Sequence, residues 1–170
     1  MDTIIDRLKR ALTLQPGVYE EIGNDPQGTT QAIIVTIAAS LIGSLGAILD
    51  GRFGSWLLSG ILSPVFLAVG TGIIFLISRM FKAQGTYISL FRSLGFAIAP
   101  QALNVIPIIG GIVGLVWSVV LAIRAVKETQ RVTDGAAAAI VLIPAVIVGF
   151  FIFLLVVILS VALFGIAASS

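Results

Sequence analysis

At 170 residues, with 58% hydrophobic and 11% charged side chains and a mean hydropathy of +1.15, the chain has too little polar surface to cover a soluble globule. Soluble domains carry about 25% charged residues, so lipid must be the solvent for much of this one. The formal charge of +2 rests on basic residues gathered at the ends of apolar stretches, not in one stripe, which excludes a nucleic-acid footprint. With neither Cys nor His, disulfides, thiolate or imidazole metal sites, Cys nucleophiles and Ser-His-Asp triads are excluded too.

The first 14 residues predict an amphipathic helix. Ile4, Ile5, Leu8, Ala11 and Leu12 share one face, and Asp2, Asp6, Arg7, Lys9 and Arg10 occupy the rest. Two placements satisfy this pattern. The helix can lie among headgroups with Arg7, Lys9 and Arg10 near anionic lipid, or it can pack on the inner loops of a bundle. Pro16-Gly17 ends it, which leaves Val18, Tyr19 and Ile22 free to touch the membrane surface. Residues 1–25 thus read as a cytoplasmic amphipathic segment ahead of a membrane domain over residues 26–170. They stay mixed in character, so no cleavable signal peptide is expected.

Asn24-Asp25-Pro26 is a helix-start signal, with Asp25 as N-cap and Pro26 at the first helical position. A first span follows over residues 30–49, rising about 30 Å and matching the hydrocarbon core. Residues 50–54 form a short outer turn. A second span covers residues 55–78, anchored by Trp56 and kinked by Pro64. After an inner loop come two short apolar stretches, 88–105 and 106–123, each about 27 Å long if helical. Pro100, Pro107 and Gly110-Gly111 interrupt them, so they read either as two thin spans or as a re-entrant hairpin. Both return the chain to the inside. The last stretch, residues 136–166, contains Pro144 and exceeds what a bilayer needs, so it should tilt or start in the interface.

The expected fold is an all-α polytopic membrane helix bundle with five transmembrane segments. Its orientation follows from the basic residues. The inner gaps hold Arg7, Lys9, Arg10, Arg79, Lys82, Arg92, Arg124, Lys127 and Arg131, whereas the outer gaps hold only Arg52. Lys and Arg flanking the spans set orientation, which places the N-terminus in the cytoplasm and the C-terminus on the far side.

Few residues within the spans suggest chemistry. No Asp or Glu lies inside a span, which weakens a proton-coupled transporter, and no phosphate-loop motif occurs. No catalytic set, cofactor or metal site is expected. Arg92 sits about one turn inside an apolar stretch. It can bind a lipid phosphate or an acidic loop residue, but that depth favours snorkelling to the inner headgroups. Gly110, Gly114, Ser118 and Ala122 form a small-residue ridge that another helix can approach closely. Packing within the bundle is favoured over a homo-oligomer face, and Ala39, Gly43 and Ala47 offer a matching ridge. Gln101 and Asn104 line a polar crevice or satisfy backbone freed by the prolines, the second being the plainer reading. Glu20, Glu21 and Asp25 can hold a divalent cation, though ion pairs with Arg79, Lys82 or Arg124 are the ordinary expectation.

The run Gly85 to Pro100 (GTYISLFRSLGFAIAP), then Val105-Ile106-Pro107-Ile108-Ile109-Gly110-Gly111, Trp117 and Ala125 to Thr129 (AVKET), resembles the Yip family of Ypt/Rab-GTPase-interacting membrane proteins. The stretch Arg10 to Pro16 (RALTLQP), with Tyr19-Glu20-Glu21-Ile22 and Gln31-Ala32, is similar to its prokaryotic branch. The resemblance implies five spans and a cytoplasmic N-terminus. Eukaryotic relatives act in vesicle traffic with lipidated small GTPases, and this chain departs from them in lacking a long N-terminal region. For the prokaryotic branch it implies no defined reaction. Two classes of function follow. One is a non-enzymatic membrane protein that organises lipids or a partner protein at the cytoplasmic face. The other is a small transporter or channel, which calls for a continuous polar crevice.

Overall fold

The computed structural model of the chain describes residues 3–169, of which 152 and 162–169 are described by backbone alone; Asp2, placed above on the polar face of the first helix, lies outside them. In chain order the elements are α1 (Ile4–Leu12), α2 (Val18–Asn24), α3 (Gly28–Gly43), α4 (Gly46–Leu49), α5 (Phe53–Met80), α6 (Tyr87–Ala97), a 3₁₀ segment (Ala99–Val105), α7 (Ile109–Gln130) and α8 (Asp134–Ser169). The fold is all-α among the described residues.

Three helices are long and apolar enough, by length and composition, to cross a membrane: α5, α7 and α8; α3 is a shorter apolar helix. The 28 residues of α5 and 22 of α7 rise about 42 and 33 Å, against about 30 Å of hydrocarbon. Pro64 removes an N–H from α5 and leaves the Gly60 carbonyl without its helical donor. The Ser63 hydroxyl donates to that carbonyl at 2.8 Å, so the helix passes through.

Two of the apolar stretches are not single helices. The first breaks after Gly43. There the Ser44 hydroxyl donates to the Ser40 carbonyl at 2.7 Å and meets the Ser59 hydroxyl at 2.9 Å, and one turn, α4, follows. The third runs as α6 only to Ala97, because Pro100 has no N–H for the next turn, and continues as 3₁₀. A 3₁₀ segment rises about 2.0 Å per residue against 1.5 Å, so the two pieces cover roughly 30 Å if collinear. They run beside α3 in the same direction. Positions on α3 meet this stretch in order: Gly28 at Arg92, Ala32 at Gly95 and Gly43 at Gln101. The chain then reverses at Pro107-Ile108-Ile109. The Ile109 N–H donates to the Pro107 carbonyl at 2.7 Å, and Ile108 has φ +65 and ψ −68. This is a γ-turn of the strained hand.

The core centres on α6. Leu90, Phe91, Leu94, Phe96 and Ala97 are buried among α2, α3, α5 and α7. Glycines clamp the 3₁₀ segment from both sides. A Cβ at Gly114 would lie 2.6 Å from the Pro100 carbonyl oxygen and one at Gly43 would lie 2.5 Å from that of Gln101. One at Gly110 would overlap the Leu103 carbonyl. Gly110 and Gly114 of the small-residue ridge therefore lie against the 3₁₀ segment of their own chain. Only the start of α8 packs, through Ala137, Ile140 and Val141. Beyond it the described side chains other than half-buried Pro144 are exposed on all sides, as suits a helix solvated by lipid.

The second helix, α2, is not anticipated by the sequence reading. Val18, Tyr19 and Ile22, expected at the membrane surface, are instead buried in the core. Their face is covered by α6 and α7, so protein rather than lipid removes it from water.

Candidate functional site

The basic residues converge at one end of the bundle, where α1 and α2 form a folded cap. The α1 helix starts at Thr3, whose hydroxyl oxygen accepts from the Asp6 N–H at 3.2 Å; Lys9 and Arg10 in the last turn suit the helix dipole. Arg7 points inward with a side chain only 11% exposed. Its Nη1 lies 2.5 Å from Asp25 Oδ2 and donates to Gln31 Oε1 at 2.9 Å, while its Nε is 3.3 Å from Glu21. Arg10 clasps the same Glu21 with both terminal nitrogens, at 2.7 and 3.1 Å. One arginine pair thus ties α1 to α2 and to the start of α3.

The cap is fastened from below as well. Glu128 on α7, paired with Arg124 at 2.7 Å, accepts from the Gly17 and Tyr19 N–H groups at 3.2 and 3.0 Å. A carboxylate at the first turn of α2 satisfies donors that the helix leaves open. Ser93 on α6 donates to the Tyr19 carbonyl at 2.8 Å, and the Tyr19 hydroxyl donates to the Ala11 carbonyl at 3.3 Å. Arg92 donates from Nε to Thr29 Oγ1 at 2.9 Å and from Nη1 to the Gly23 carbonyl at 3.0 Å. Its guanidinium is thus held by protein acceptors in the last turn of α2 and the first turn of α3.

The electrostatics match this geometry. The Arg10 guanidinium hydrogen-bonded to Glu21 holds that carboxyl below the usual range, against the opposing effect of burial. The Gln27 backbone N–H, then Arg7, do the same for Asp25. Burial, helped by nearby Glu128, pushes the Tyr19 phenol well above its ordinary value.

Between the cap and the loops below it lies a polar pocket of about 340 Å³, lined by Glu20, Asn24, Gln84, Arg92, Glu128 and Arg131 among others. Behind Gln84, Gly85 and Thr86 of its lining lies Gln130, which is fully buried. Gln130 Nε2 donates to the Thr86 carbonyl at 3.3 Å, and the Gln130 backbone carbonyl accepts from the Gln84 N–H at 3.1 Å. Gly85 allows this approach, since a Cβ there would overlap the Thr129 carbonyl. At the rim Arg131 lies 3.5 Å from Glu20, both side chains at least half exposed.

Of the basic residues singled out from the sequence, Arg7, Arg10 and Arg92 are engaged in holding the cap, and Lys9 is exposed. The acidic residues pair with cations other than those expected. Glu21 and Asp25 take Arg7 and Arg10, and Glu20 takes Arg131. Arg79 instead donates to the Ala83 and Gly85 carbonyls and stacks on Phe75 at 4.4 Å, and Arg124 takes Glu128. The ordinary expectation fails because α2 brings its acids under α1, a packing that sequence spacing does not show. The contact of Glu128 with α2 and the burial of Gln130 are not anticipated by the sequence reading. The four-residue spacing of Arg124 and Glu128 signals a helical ion pair but not the α2 contact, and nothing in the sequence marks Gln130 as buried.

No curated protein and no solved structure matches the chain. The Yip1 domain matches residues 10–158, from the last turn of α1 into the outer part of α8, which takes in α2, the pocket and nearly all of the bundle but not Arg7. The chain belongs to the Yip1-domain family of membrane proteins.

Proposed function

We propose that this chain is a non-enzymatic five-pass membrane protein, N-terminus in the cytoplasm and C-terminus on the far side, that organises a partner protein or lipid headgroups at its cytoplasmic face. One observation carries the reading: the cap is ordered in advance around a polar pocket whose rim charges, Glu20 and Arg131, remain half exposed. A preordered surface loses little entropy on binding. The five passes are supported by the extent of the third stretch along α3, and the orientation by the gathering of nine of the ten Lys and Arg residues in the gaps at the cap end. Membership in a family of generally non-enzymatic proteins supports the rest. A transporter or channel would call for a continuous polar path, and the cleft within the bundle is lined mainly by apolar residues with no charged one.

The test is site-specific photocrosslinking in native membranes from a photoreactive residue at Lys9 or Arg131. A discrete protein or lipid adduct from both positions, lost in the Glu20→Arg variant, is expected. Labelling no different from that at Arg52, at the other end of the bundle, would overturn the reading.

A further inference from the structure

A second cavity lies inside the bundle. α5 packs on α3, α6 and α8 but not closely on α7. The resulting cleft, about 480 Å³, lies between α5 and α7 with α3, α6 and the 3₁₀ segment as its floor. That volume falls within the range of roughly 300–1,000 Å³ typical of small-molecule sites. Its mouth carries Phe66 and Leu115, both exposed on the lipid-facing sides of the two helices.

Three hydroxyls line this cleft and make no hydrogen bond: Thr36 and Thr71, each 1% exposed, and Ser118, 7% exposed. They are unlike the other hydroxyls of the membrane helices. Ser44, Ser63, Ser78 and Ser160 each donate to a carbonyl in the preceding turn of their own or an adjoining helix. The remaining buried side-chain atoms without a hydrogen bond, Nε of Arg7 and Nε of Arg124, at least lie against carboxylates. Among the described residues, all three buried hydroxyls with nothing opposite them thus lie in one cleft, from three different helices. A buried polar group left unpaired is costly, and three in one cavity point to a molecule that pairs them.

We infer that the cleft between α5 and α7 binds one uncharged membrane lipid, apolar along most of its length, with ester, carbonyl or hydroxyl oxygens that accept from Thr36, Thr71 and Ser118. Lipid is the medium onto which the mouth opens. The lining contains no Lys, Arg, Asp or Glu, so an ionised headgroup would find no counter-charge at that depth. Gln101, at the floor of the same cleft, makes no side-chain hydrogen bond among the described residues and adds an amide to the set. This site is separate from the polar pocket under the cap, and neither reading depends on the other.

The probe is a diacylglycerol carrying a photoreactive diazirine in one acyl chain, with a diazirine phosphatidylglycerol for comparison, applied to the full chain in bilayers. Diacylglycerol should label peptides around residues 66–74 and 115–122, and unlabelled dioleoylglycerol should compete while phosphatidylglycerol does not. A Cβ at Gly70 meets nothing within 4 Å, so Gly70→Trp can fill the cleft without a backbone clash and should abolish labelling while thermal stability holds. Thr71→Val should keep the shape, raise the Tm of the lipid-free protein and weaken competition about three- to tenfold, the loss of one hydrogen bond. Equal labelling by both lipids, or labelling unchanged in Gly70→Trp, would overturn the proposal. So would a disulfide between cysteines placed at Gly70 and on the outer half of α8, within one chain or between two copies, because a helix would then occupy the cleft.

Discussion

Arg7 shows how one side chain changes meaning between sequence and structure. It stands in a basic amphipathic helix, yet it faces inward onto Asp25, Glu21 and Gln31. Removing it leaves Gln31 Oε1 and Asp25 Oδ2 without the partner they now have, while Glu21 keeps Arg10. Arg7→Ala should therefore cost about 1–3 kcal/mol, read as a lower Tm in detergent. Arg10→Ala removes a more exposed partner of the same Glu21 and should cost under about 1 kcal/mol. The two carboxyls also set the acid response of the cap. Their folded values lie below the ordinary ones, so the stability they supply is fully present above the usual carboxylate range and is lost as pH falls through the folded values. Protection of α1 and α2 amides from hydrogen exchange should stay level, after correction for intrinsic rates, from pH 7 to about 5. It should fall below about pH 4. Loss of protection already at pH 6 would show that another group controls the cap.

The glycines govern how the elements pack. Gly110, Gly114 and Gly43 bring α7 and α3 onto the carbonyls of the 3₁₀ segment, where no Cβ fits. Gly114→Ala and Gly43→Ala should each destabilise by about 1–3 kcal/mol, the usual cost of overpacking. Gly54→Ala and Gly72→Ala, where a Cβ meets nothing within 4 Å and the backbone is helical, should be neutral or slightly stabilising. Thermal denaturation of the four variants in one detergent separates the two sets. If all four behave alike, the clamp on the 3₁₀ segment is not what the glycines are for. Ile108 is the reverse case, a β-branched residue at positive φ in a γ-turn. Ile108→Gly should raise the Tm by relieving strain of about 1 kcal/mol or more.

At the scale of the whole molecule, the cap end and the opposite end differ in charge, and the proposed orientation rests on that difference. The chain has no cysteine, so single cysteines report cleanly. A cysteine replacing Asp50 should react with a membrane-impermeant maleimide in intact cells, whereas one replacing Lys82 should react only after permeabilisation. Both positions are exposed, so burial does not confuse the result. The reverse pattern would invert the topology. The described side chains of α8 beyond Pro144 are all exposed, so lipid or a second molecule surrounds that stretch.

The positions of the long apolar stretches, the all-α class and the segregation of basic residues are legible in the sequence because each depends on local composition. A run of about 20 apolar residues needs no partner to be recognised as a span. The close approach at Gly110 and Gly114 is legible too, because a helix face without side chains admits a neighbouring backbone. What required the tertiary structure depends on residues distant in the chain. The α2 helix is too short to declare itself by periodicity and is held by Glu128, 109 residues from Tyr19. The pairing of Arg7 with Asp25 follows from that placement. The pocket under the cap forms where α2, α7 and the loop before α6 meet, and no segment alone carries its shape. The unpaired hydroxyls of Thr36, Thr71 and Ser118 look ordinary in their own helices. Only the separation of α5 from α7 places them in one cleft, because a hydrogen bond left unmade is a property of the neighbours and not of the residue.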